Sequence, residues 1–163
     1  MSRVIHSDVM NGRSRALLVP AGEDRLGEQH GLGVSRIDFK AIAPDGGLLV
    51  LENTFHAKGG PPRHLHLEQD EWFYAVEGEF VIEVGDERHV LRPGDSVLGP
   101  RRVPHVWAHV GAGRGRILIA FTPAGRMEAF FREVTKADAM PAQDPALWRE
   151  HGMQLVGPPL PVE

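Results

Sequence analysis

The segment Gly59–Gly78, GGPPRHLHLEQDEWFYAVEG, decides how the chain is read. A Gly-Gly-Pro-Pro run forces a turn, and the residues after it are extended in character, so His64 and His66, one residue apart, project from the same face of a strand. Glu71 stands at the head of the next β-rich run, five residues beyond His66, close enough for a carboxylate to double back to the same point. Farther along, HVWAHV begins with His105 directly after Pro104 and offers a third imidazole from a distant strand. Three neutral imidazoles and a carboxylate are a borderline-to-hard donor set. They suit one divalent transition metal per chain (Fe, Mn, Ni, Co, Cu or Zn) and leave coordination positions open to water or a small-molecule substrate. Taken singly, a His-x-His pair is commonly a surface strand, and Glu71 competes with Glu68 and Asp70 as the carboxylate.

Outward from this segment, β-rich runs recur between turns from Val34 to about Thr122: SRIDFKAIA, LLVLENTFH, EWFYAV, EFVIEV, RHVL, SVLG, HVWAHV and GRILIAFT. They are separated by PDGG, KGGPPR, EGE, GDE, RPGD, GPRRVP and GAGRG, each carrying the glycine or proline of a tight reversal. This predicts a closed all-β body over residues 34–122. Residues 1–33 read as an N-terminal arm with one apolar strand, Ala16–Val19. Residues 123–163 read as a helical tail. Met127, Phe130, Phe131 and Val134 fall at helical spacing, and a second helix is expected over 144–151, with Asp144 as cap, Pro145 in the first turn and Gly152 as stop.

The whole 163-residue, 18.0 kDa chain is expected to be one domain. With 42% hydrophobic and 25% charged residues it has the composition of a soluble globular protein. The absence of cysteine excludes disulfides and thiolate ligands. A net charge of -4 with scattered Lys and Arg gives no nucleic-acid footprint. No apolar run reaches the length of a membrane span and the first residues lack the apolar stretch of a secretory leader, so a cytoplasmic location is expected. The apolar strand at Ala16–Val19 and the Met127–Val134 helix suggest more apolar surface than one small barrel covers, and hence a homodimer.

The histidine segment resembles the first motif of the cupins: glycine, a spacer, His-x-His, three or four residues, Glu, six residues, Gly. Here four residues separate His66 from Glu71 and six separate Glu71 from Gly78. GDSVLGPRRVPHVWAH resembles the second cupin motif at Gly94, Pro100 and His105, with Arg102 in place of the motif glycine and His109 in place of its asparagine. The resemblance implies a double-stranded β-helix, or jelly-roll barrel, and its spacing selects Glu71 over Glu68 and Asp70. His64, His66, Glu71 and His105 are then the implied metal ligands. On such a barrel Phe73, Trp107 and His109 are expected to point inward and line a substrate pocket, while Phe80, Ile82 and Val84 fill the core. His56 reads as a surface histidine, and Arg63, Arg101 and Arg102 as turn residues at the mouth.

The segment also looks similar to small single-domain cupins of the quercetin dioxygenase type. That implies dioxygenase-like chemistry on a small aromatic or enolic molecule, with Glu71 as ligand and catalytic acid or base. The alternatives are a non-oxidative metal-dependent cyclase, isomerase or lyase, and a non-enzymatic module that binds a small ligand.

Overall fold

Alternation in LVLENTF and GRILIAFT, where every second side chain except Asn53 is apolar or glycine, produces two long strands buried on one face only. In the computed structural model, which describes residues 15–163, these are β3 (Leu49–Phe55) and β10 (Gly115–Thr122), paired antiparallel from Gly115 opposite Phe55 to Phe121 opposite Leu49. The other strands are β1 (His30–Gly31), β2 (Ser35–Ile42), β4 (His64–His66), β5 (Asp70–Glu77), β6 (Phe80–Val84), β7 (Glu87–Leu91), β8 (Ser96–Gly99), β9 (His105–His109) and β11 (Met153–Leu155). They form two antiparallel sheets, ordered β1-β2-β3-β10-β5-β8 and β11-β4-β9-β6-β7. The inner faces enclose one apolar core that includes Phe39, Leu51, Phe55, Phe73, Phe80, Ile82, Trp107 and Ile119. This is the jelly-roll barrel expected from the motifs.

The eight β-rich runs all form strands, and the histidine pair forms its own three-residue strand. Two elements differ from expectation. The apolar segment Ala16–Val19 forms no strand: it runs as irregular chain with Leu18 71% exposed, and Pro20, which lacks an N–H, closes it. The sheet edge is instead the two-residue β1, paired with β2. Near the other end, Met153–Leu155 adds a strand to β4, placing Met153 opposite His66 and Leu155 opposite His64. The histidine strand therefore lies between β11 and β9 and is not an edge.

The helical tail covers the barrel. Helix α1 (Met127–Val134) buries Met127, Phe130 and Val134. Helix α2 (Pro145–Glu150) begins with Asp144 accepting from the Ala146 N–H at 3.0 Å, a cap worth about 1 kcal/mol. The two helices meet where Phe130 packs edge-on against Trp148, centroids 4.9 Å apart, and Phe131 packs on Phe121 and Phe39 of the barrel. The apolar face of α1 is thus satisfied within the chain, so it gives no ground for the second copy that its apolar character suggests. Among the described residues no helix is long and apolar enough to cross a membrane.

Candidate metal centre

Strand β4 turns His64 and His66 to the same inner face, where they are 4% and 1% exposed. Register places His64 opposite His105 on β9, and β5 brings Glu71 across from the other sheet. One ligand atom from each of these four buried side chains falls within 4.8 Å of the other three. Glu71 Oε2 lies 2.9 Å from His66 Nε2 and 2.8 Å from His105 Nε2.

The surrounding hydrogen bonds say what kind of occupant these atoms need. The His64 Nδ1–H donates to the Pro62 carbonyl at 2.8 Å, which leaves Nε2 as the free lone pair. The His66 tautomer is set by Gln69, whose amide nitrogen donates to the carbonyls of Pro123 (3.1 Å) and Ala124 (2.6 Å). Its Oε1 therefore faces His66 Nδ1, at 3.2 Å, and must accept from it. Neutral His66 then presents a lone pair at Nε2 toward the lone pairs of Glu71 Oε2. Two acceptors at 2.9 Å repel unless a cation or a proton sits between them. Glu71 Oε2, His66 Nε2 and both ring nitrogens of His105 are indeed buried without a hydrogen-bond partner. Such a set fits a divalent transition metal held by three imidazoles and one carboxylate.

Electrostatics agree. Burial pushes the His64 imidazole well below its usual range, helped by the neighbouring His105 and His66, so it is neutral, the form that binds a metal. Burial alone would raise the Glu71 carboxyl, but positive charge at the facing His66 and His105 nitrogens, the place a cation would take, outweighs it and holds the group below the usual carboxylate range. Asp70 is drawn away from the centre: Arg101 donates to it from its backbone N–H and through a two-pronged guanidinium contact. Glu68 is exposed and pairs with Arg102, and Arg63 pairs with Glu83. The three mouth arginines are therefore engaged with acids. Arg102, where the motif has glycine, has φ +66°, the left-handed conformation that glycine adopts most easily.

Of the residues expected to line a pocket, Trp107 does so. The cavity beside the centre is about 40 Å³, room for roughly two or three waters. Its lining includes His64, His66, Glu71 and Trp107, the polar Ser35 and Asn53, the aromatic Phe121, Phe130 and Trp148, and the methionines Met127, Met140 and Met153. Phe73 points inward but lies behind His105, ring centroids 5.8 Å apart, and does not reach this lining. His109 is fully buried at the other end of β9 between Phe55 and Phe80, in space that exists because residue 115 is glycine; a Cβ there would lie 2.4 Å from its ring. His56 is exposed. Gln69, Asn53, Ser35 and Trp148 are not among the candidates that the sequence motifs supply. The one signal for Gln69 is its position inside the histidine motif, between the ligand pair and Glu71.

Gln69 also depends on Gly125, at φ +51°, where a Cβ would come within 2.4 Å of its amide nitrogen. Replacing Gln69 by leucine frees His66 to take the other tautomer and is expected to weaken metal binding about 10- to 100-fold, with the fold retained. Competition titration against a chelator measures this, with Glu68→Leu as a control expected to show no loss.

Residues 52–121 match the family model described as Cupin domain. An oxidoreductase of Arthrobotrys oligospora is 25% identical over 72 residues, 43% of this chain and 28% of that protein. Oxidoreductase OpS7 of Beauveria bassiana is 53% identical over 38 residues, 23% of this chain and 12% of that protein. The matched segments thus span well under a third of either relative. A solved RmlC-like cupin from Shewanella frigidimarina is 28% identical with a TM-score of 0.50, covering 60% of this chain and 84% of that one. The barrel, the two histidine motifs and these likenesses agree on a cupin-type fold, with the match to the Cupin domain model confined to residues 52–121.

Proposed function

We propose that the chain is a metal-dependent, dioxygenase-like enzyme whose substrate is a small planar aromatic or enolic molecule that coordinates through oxygen. The observation that carries this reading is the buried His64, His66, Glu71 and His105 cluster opening onto a cavity walled by rings and methionines. A divalent transition metal bound there would polarise a coordinated substrate oxygen and supply the redox chemistry. The protein's part is positional and electrostatic. His64 and His66 are locked as lone-pair donors, Trp107 and Phe121 offer flat walls, and the ionised Glu71 carboxylate, through the oxygen not turned to the imidazoles, is the acceptor for the proton that a phenol or enol releases on binding. The helices α1 and α2 exclude water from that proton transfer. As closed, the cavity is smaller than such a substrate, and the unbranched side chains of Met127, Met140 and Met153 are the parts of its wall best able to yield. The two matched relatives carry the name oxidoreductase, the class to which this reading belongs.

The test is a screen of flavonols, catechols and β-dicarbonyl compounds against protein loaded in turn with each candidate metal, following absorbance and dissolved oxygen. Binding with oxygen uptake is expected. Conversion without uptake would move the protein to the cyclase, isomerase or lyase class, and no perturbation of the Co-loaded spectrum by any compound would leave a ligand-binding module.

We also propose a homodimer, on grounds other than the α1 face. On the outer face of the six-stranded sheet Trp72 (36% exposed) stacks on Tyr74 and stands opposite Leu98 (54% exposed), a contiguous apolar patch on a sheet face that nothing among the described residues covers. Sedimentation should give twice 18.0 kDa, falling to the single-chain mass in a Trp72→Glu, Leu98→Glu variant.

A further inference from the structure

The cavity has a second polar end that the metal chemistry does not use. Asn53 on β3 points inward, is 5% exposed and lies between Ile37 and Ile117, yet its Oδ1 has no hydrogen-bond partner. Ser35 on β2, 3% exposed, lines the same cavity. Because Ser35 pairs with Phe55 and Ile37 with Asn53, the two polar side chains are diagonal neighbours on one face, about 7–8 Å apart at the backbone, so one group placed between them can meet both. Position relative to the metal centre follows from register. Glu71 is opposite Phe121 on β10, Asn53 is opposite Ile117, and those two residues are four apart, or about 13 Å along the strand. The two polar ends are therefore separate points along the barrel axis.

An amide oxygen buried among isoleucines without a partner costs free energy, and a leucine of the same size would fit the site without that cost. An unpaired group there has a use if a ligand supplies its partner, and the cavity it lines gives a ligand room to do so. We propose that Asn53 and Ser35 form a distal recognition point for the substrate, accepting and donating a hydrogen bond to a hydroxyl at the end remote from the metal-binding oxygens. This rests on the aromatic-substrate reading above and narrows it: the ligand is a planar apolar body with oxygen at both ends.

The probes are kaempferol and galangin, flavonols that share the metal-binding 3-hydroxy-4-keto pair and differ by one hydroxyl, at the outer end of the pendant phenyl ring. Calorimetric titration of the Co-loaded full chain should give kaempferol about tenfold tighter than galangin, one hydrogen bond to an otherwise unpaired buried group. In Asn53→Leu that preference should fall to about equality through loss of kaempferol binding alone, while the melting temperature holds or rises. Ser35→Ala, which removes one oxygen and perturbs packing least, should reduce the preference by a smaller factor. A preference that persists in both variants, or is absent in the unsubstituted protein, overturns the proposal while leaving the metal-site reading intact. If neither flavonol binds the unsubstituted protein, the aromatic-substrate reading fails and takes this one with it.

Discussion

Alanine at both His66 and His105 is expected to take the metal content of reconstituted protein from about one ion per chain to near zero. Donor count sets the size of the effect. A four-ligand site of this kind gathers on the order of 10 kcal/mol, so each donor carries about 2–4 kcal/mol, and losing two lowers affinity by about ten-thousandfold. The remaining pair, His64 and Glu71, cannot compensate, because Asp70 is committed to Arg101 and Glu68 points to solvent. The fold should survive, since the variant removes two buried imidazoles whose Nε2 atoms have no hydrogen-bond partner. Elemental analysis of the variant beside Glu68→Ala and Asp70→Ala decides the matter. Metal retained in the double variant, or lost equally from Glu68→Ala, would show that the centre is elsewhere. Acid should mimic the substitution, because protons compete for the same lone pairs: His64 is held neutral by burial, and protonating it as pH falls takes a donor from the metal.

How far this site is legible in the chain depends on the distance over which each residue acts. Strands β3 and β10 are readable because alternation over seven or eight residues is the mark of a half-buried strand and of little else. The ligands are readable because His64, His66 and Glu71 are nearly consecutive and their spacing is the motif. Strands β1 and β11, two and three residues long, are too short to show a period, and they exist only because a longer strand offers an edge. The reverse error arises at Ala16–Val19, where an apolar run finds no partner strand and stays irregular. Parity correctly turns Phe73 and His109 inward but cannot say how far along the barrel axis each lies. His109 is four positions beyond His105 on β9, about 13 Å, enough to place it in a different layer of the core. Gln69 acts through carbonyls 54 and 55 residues away, and Asn53 matters because of the cavity it faces. Neither fact has a local signature.

The C-terminal cover supplies the second large effect: Trp148→Ala is expected to destabilise the protein by about 3–5 kcal/mol, the range for deleting a buried large aromatic side chain. Trp148 is 1% exposed, packs on Phe130 and, at 5.0 Å, on the His64 ring, and donates from Nε1 to the Ala142 carbonyl at 2.8 Å. Its loss leaves that carbonyl without its donor and removes the Trp148–Phe130 contact between α2 and α1. At about 2–4 °C per kcal/mol for a chain of this size, the melting temperature should fall by roughly 10 °C. Trp72→Ala, on the half-exposed outer face, should cost the single chain about 1 kcal/mol or less, which makes it the control for loss of a tryptophan as such. Metal content separates cover from centre. The His64 tautomer is set by Pro62 and not by Trp148, so the variant should still bind about one ion per chain while admitting a chelator faster. Equal melting temperatures for the two tryptophan variants would mean that α2 does not hold the barrel mouth closed. Loss of metal along with stability would mean that His64 is positioned by the cover and not by its own strand.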